Sequence, residues 1–113
     1  MYKRPVRVLY LGQAYDPRTE MAARLTAEIG AGRMEGRGAS VRDVDAESLA
    51  WADLVVPMDA ESLRQCPAPP PTARLKPWDL PDANGERARA IIHERIQAML
   101  GGLRMLSRLD GKA

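Results

Sequence analysis

Phenylalanine is missing from the 113 residues, and two Trp with three Tyr supply all the aromatic bulk. The core must therefore rest on Leu, Val, Ile, Met and Ala. A single cysteine, Cys66, excludes an intramolecular disulfide, a CxxC redox pair and a cysteine-rich zinc site. No apolar run approaches the ~20 residues that span a bilayer, so no membrane association is expected. Val6 to Leu11 is too short for a signal-peptide core, and no small-residue cleavage site follows it. A reduced, cytoplasmic setting is the resulting expectation. Strong charge of either sign is also lacking. Seventeen Lys and Arg against fifteen Asp and Glu leave +2, too little to imply nucleic acid. The basic excess lies at the ends, Lys3, Arg4 and Arg7 at one and Arg104, Arg108 and Lys112 at the other, and reads as solvated termini. Apolar residues at 45% and charged residues at 28% fit one globular domain over 1–113, with 107–113 a basic tail.

What is present alternates in period. Val6 to Leu11 is a β-branched and aromatic run ending at Gly12, a buried strand. From Arg18 the spacing turns helical, with Met21, Leu25 and Ile29 on one face, and Gly30 and Gly32 are expected to end that helix. A short strand is read near Ala39–Val41, then a helix over Ala46–Ala52 capped by Asp45. Leu54–Met58 reads as a second clear strand, and Asp59 caps a short helix through Leu63 and Arg64. Cys66 to Pro71 is a stiff connector rather than a docking ligand, since four prolines from Pro67 onward remove donors and forbid helix. A last strand is placed at Ala73–Lys76. A long helix follows over 86–106, with Ile92, Ile96, Met99, Leu103 and Leu106 as its apolar stripe. The class is α/β, a small, mostly parallel sheet of about four strands flanked by helices.

In such a sheet ligands bind beyond the carboxyl ends of the strands, where the loop Gly12–Arg18 falls. A helix starting at its end aims free amides into the loop, an anion-binding arrangement. The run Val8 to Leu11, the seven-residue window from Gly12 to Arg18, then Thr19, Met21 and Ala22 resembles the low-molecular-weight protein tyrosine phosphatases and the related thioredoxin-coupled arsenate reductases. Their motif is a cysteine, five residues, an arginine and Ser or Thr. Ala52 to Asp59 is similar to the family's strand ending in Met-Asp, and Trp78-Asp79-Leu80-Pro81-Asp82 to the loop carrying its catalytic acid. The resemblance covers about residues 6 to 106.

Carried over by residue, the resemblance puts the nucleophile at Gly12, the oxyanion-binding arginine at Arg18, the assisting hydroxyl at Thr19 and the acid at Asp82. Gly12 has no side chain, and phosphoryl transfer in this family needs a thiolate. No catalytic residues, metal or cofactor are expected. Relay of a disulfide, which the arsenate reductase branch implies, needs more than one cysteine. The reading that follows is a catalytically inactive phosphatase-like protein, regulatory or adaptor in role, using the former active-site face. Its partner is another protein or a second copy, with Tyr15 in the loop as the anchor. Two alternatives stay open: a hydrolase whose nucleophile is Thr19 or Asp16, and an anion sensor holding phosphate or sulfate at Arg18 and Thr19. Against the last, Asp16 and Glu20 oppose an anion, Pro17 removes an amide, and Arg18 can pair instead with Asp16, Glu20 or Asp82. His93 is read as solvated, Cys66 as a small buried hydrophobe, and Trp51 and Trp78 as packing residues.

Overall fold

The computed structural model describes residues 4–110, with side chains through Gly102. Eight elements alternate: β1 (Val6–Gly12), α1 (Pro17–Gly30), β2 (Met34–Ser40), α2 (Ala46–Trp51), β3 (Leu54–Pro57), α3 (Ala60–Gln65), β4 (Arg74–Leu75) and α4 (Gly85–Asp110). The four strands form one parallel sheet in the order β2-β1-β3-β4. β1 is central because both of its faces are apolar. Val6, Val8 and Tyr10 face the cluster under α1 and α4, with Leu25, Ile92, Ile96 and Trp78. Leu9 and Leu11 face a smaller cluster with Val41, Leu49, Ala52 and Val55. Inside the larger cluster, the Tyr10 hydroxyl and the Thr26 Oγ1 are hydrogen-bonded at 2.6 Å, and burial raises the Tyr10 phenol well above its ordinary value.

Helix starts follow their caps. Asp45 accepts from the Ser48 N–H at 2.8 Å and Asp59 from the Ser62 N–H at 2.7 Å, each satisfying an amide that the first turn leaves free. Pro17 stands at the first position of α1, where a missing N–H costs nothing.

Four expectations need correction. The second strand is not Ala39–Val41 but Met34–Ser40, paired along its whole length with β1. Its pattern is obscured because Gly36 and Gly38 lie directly beneath α1. A Cβ on Gly36 would stand 2.9 Å from the Ala23 Cα, and one on Gly38 would stand 2.8 Å from the Thr19 backbone. The left-handed cap of α1 is Ala31 (φ 48°), with Gly32 (φ 87°) after it, rather than Gly30. The last helix continues through Gly101-Gly102 to Asp110, so the expected tail at 107–113 begins within it. His93 is half-buried rather than solvated. In the apolar stripe of α4, Ile92, Ile96 and Met99 are buried as the spacing requires. Leu103 and Leu106 lie outside the residues whose side chains are described, as do the basic side chains of Lys3, Arg104, Arg108 and Lys112. No helix among the described residues is long and apolar enough to cross a membrane.

Candidate functional site

The loop after β1 lies at the carboxyl edge of the sheet, where β1 and β3 are neighbours. The Met58 N–H donates to the Leu11 carbonyl at 2.9 Å, carrying the register of the two strands past their ends. This brings the N-terminus of α3 beside the loop. Gln13 then ties the two together, its Nε2 donating to Ser62 Oγ at 3.0 Å and to Gln65 Oε1 at 3.2 Å. That bridge is not foreseeable from local pattern, because neither glutamine nor serine is marked by a motif.

Asp16 is the N-cap of α1, and its Oδ1 accepts from the Arg18 N–H at 3.0 Å. Its carboxylate also faces the Arg18 guanidinium. Arg18 Nε donates to both oxygens at 3.0 Å and Nη2 to Oδ2 at 2.8 Å. The same Nη2 reaches Asp59 Oδ2 at 3.5 Å, and Nη1 reaches the Pro81 carbonyl at 3.3 Å. One carboxylate thus takes up the planar donor edge with which an arginine grips an oxyanion. Both partners are largely covered, their side chains 15% and 11% exposed. Burial pushes the Asp16 carboxyl up, but the side-chain and backbone donors of Arg18 outweigh it and hold the carboxyl below its ordinary range. The hydrogen bond to Asp16 raises Arg18 in turn, against a smaller opposing effect of burial, with Asp59 and Asp82 adding to the rise.

Gly12 ends β1 beneath this pair. A Cβ placed there would stand 2.6 Å from Thr19 Cγ2 and 3.4 Å from Asp16 Oδ2, too close to the first for any side chain to fit unaided. Thr19 is buried, and its Oγ1 donates to the Asp16 carbonyl at 3.0 Å, away from any reacting atom. Asp82 is exposed and makes no side-chain hydrogen bond among those described. Pro81, Leu80, Ala83, Ala88 and Ile91 line a shallow hollow against Arg18. Tyr15 projects wholly into solvent with φ 63°, a left-handed conformation uncommon for a bulky residue. Cys66 is half-buried against the smaller cluster at the end of α3, its Sγ donating to the Pro67 carbonyl at 3.4 Å. Burial alone pushes its thiol up, which disfavours the nucleophilic thiolate. The structure therefore brings together Gly12, Asp16, Arg18 and Thr19, adds Asp59 from the next strand end, and leaves Tyr15 and Asp82 outside that cluster. No group of three His, Cys, Asp or Glu among the described residues could hold a metal.

A four-stranded parallel sheet in the order β2-β1-β3-β4, flanked by helices, matches the fold of solved structures that are thioredoxin-dependent arsenate reductases or low-molecular-weight-phosphatase-like. Two solved structures carry the comparison. A thioredoxin-dependent arsenate reductase of Corynebacterium glutamicum superposes with a TM-score of 0.74 at 15% identity, over 93% of this chain and 65% of its own. YfkJ of Bacillus subtilis superposes with a TM-score of 0.74 at 18% identity, over 93% of this chain and 98% of its own. At such identities the likeness is one of fold. The chain also spans less than two-thirds of the arsenate reductase. No family model matches the sequence, and no curated protein does.

Proposed function

We propose that this protein is a non-catalytic member of the phosphatase-like fold that works by binding another protein at the former active-site face. The observation that carries this reading is the Asp16–Arg18 pair above Gly12. Where phosphoryl transfer would need a thiolate and a free arginine, there is a glycine and an arginine already held by a carboxylate. Thioredoxin-dependent arsenate reduction, the activity in the name of the Corynebacterium protein, is not proposed here, because one cysteine cannot pass a disulfide along. Catalysis by Thr19 or Asp16 is disfavoured as well. The first donates to a backbone carbonyl, and the second is committed to Arg18. Tyr15 supports the binding role. A fully exposed aromatic ring on the loop rim is a large contact surface of low conformational entropy.

Turnover of an aryl phosphate tests the first half. The native chain and Gly12→Cys both remain at the buffer rate, the variant because Thr19 and Asp16 crowd the new side chain. Native activity abolished by Arg18→Ala would overturn the reading. Millimolar phosphate should leave the native Tm unchanged; a rise lost in Arg18→Ala would favour anion sensing instead. For the second half, a protein that co-purifies with the native chain should be released by Tyr15→Ser at unchanged Tm.

A further inference from the structure

β2 is a free edge of seven residues, and its backbone pattern defines which groups are unpaired. The Val6 N–H donates to the Arg33 carbonyl at 2.9 Å and the Val41 N–H to the Gly12 carbonyl at 2.9 Å. In a parallel ladder alternate residues face the neighbouring strand, so Glu35, Arg37 and Ala39, with the Arg33 carbonyl before them, turn their backbone groups to β1. Met34, Gly36, Gly38 and Ser40 turn theirs outward. The opposite edge of the sheet is blunted, since β4 has two residues and Pro77 lies just beyond it. β2 has no proline and no such protection.

Its side chains select the strand that could fill that edge. Glu35 and Arg37 are exposed, lie on one face of the sheet, and make no ion pair among the described residues. Arg37 lies instead over the Trp51 ring at 4.1 Å. Antiparallel pairing of two β2 strands about a two-fold axis at Gly36 sets Gly36 against Gly36 and Met34 against Gly38. All three carry outward groups, so the N–H and C=O groups of Met34, Gly36 and Gly38 find partners, while Ser40, whose carbonyl already accepts from the Asp43 N–H at 3.0 Å, falls opposite Gly32 beyond the strand. The same register puts Glu35 opposite the partner copy's Arg37, twice, at the narrow non-hydrogen-bonded positions, about 4.5 Å between Cα atoms. Shifting the axis to Arg37 would oppose two arginines, and shifting it to Gly38 would oppose Arg37 with Ala39. Only the Gly36 register matches charge and hydrogen bonds together. Where α1 comes nearest to Gly36 it presents Ala23, whose side chain is a single methyl group.

We infer that the chain self-associates through the free edge of β2, a second copy pairing antiparallel about Gly36 to give one eight-stranded sheet with two Glu35–Arg37 pairs across the two-fold. This surface does not include Tyr15, so it stands apart from the face proposed above. Analytical ultracentrifugation of the native chain should show a monomer–dimer equilibrium, and the Gly36 and Gly38 amides should exchange more slowly as concentration rises. Glu35→Arg and Arg37→Glu should each weaken the dimer by about tenfold or more, since each creates two like-charge pairs. The double variant Glu35→Arg/Arg37→Glu should recover it, which a loss of fold or of the Trp51 stack would not do. Tyr15→Ser should leave it intact. A chain that stays monomeric at high concentration overturns the inference. So does a dimer that is indifferent to both single reversals.

Discussion

Asp16 has three duties within one side chain: it caps α1, pairs with Arg18, and closes over Gly12. Replacing it by alanine should cost about 1–3 kcal/mol in urea unfolding, combining a lost cap with a largely buried guanidinium left short of its partner. Its acid response follows from the direction of its shift. The folded-state carboxyl lies below its unfolded value, so its stabilisation is complete above about pH 4 and disappears as pH falls through the folded value. Asp53, lowered chiefly by its hydrogen bond to Arg4, acts with the same sign. Thermal melts between about pH 5 and 2 should therefore fall more steeply for the native chain than for Asp16→Ala, which keeps only the parts of Asp53 and of Asp45, the latter lowered by its hydrogen bond from the Ser48 N–H. Equal slopes would show that the Asp16–Arg18 pair contributes nothing. That Asp16 is a partner of Arg18 was legible in the sequence, because they stand two positions apart at a helix start. Asp59 was legible only as a cap. Its approach to Arg18, 41 positions away in sequence, depends on the pairing of β1 with β3, which no local pattern encodes.

Among the elements, those whose period survives packing were readable and those shaped by a close neighbour were not. β1 and β3 are β-branched runs buried on both faces, and α4 keeps Ile92, Ile96 and Met99 on one side. β2 lost its strand signature because α1 sits so near that only hydrogen fits at Gly36 and Gly38. Glycine weakens a strand in isolation, yet here it allows a helix to lie on a sheet edge. The two kinds of glycine can be separated experimentally. Gly38→Ala should destabilise by about 1–3 kcal/mol, because its Cβ meets backbone that cannot rotate away. Gly101→Ala, in the middle of α4 with open space around it, should stabilise by about 0.5–1 kcal/mol through helix propensity alone. Opposite signs in one urea series would confirm that the glycines of β2 serve contact and those of α4 do not; a stable Gly38→Ala would refute it.

At the scale of the whole molecule the sheet is covered unequally. One face carries the 14-residue α1 and the 26-residue α4, while the other carries two six-residue helices and the proline connector. The molecule is correspondingly flat, 42 × 32 × 19 Å, with a radius of gyration of 13.7 Å against about 13 Å for a compact chain of this length. Without phenylalanine, the thick face relies on interlocked aliphatic side chains around Tyr10 and Trp78, whose rings lie 5.3 Å apart. Truncation should reveal the asymmetry. Ile96, fully buried beneath α4, has neighbours on several elements and no room to relax, so Ile96→Ala should cost about 4 kcal/mol. Leu49 is 7% exposed under the short α2, which can settle inward, so Leu49→Ala should cost about 2 kcal/mol. Amide exchange should follow the same order. Val8, Tyr10 and Val56 should open only with global unfolding, while α2 and β4 should open at lower free energy. Equal protection on both sides of the sheet would mean that the thin face is held by more than the six side chains buried there among the described residues.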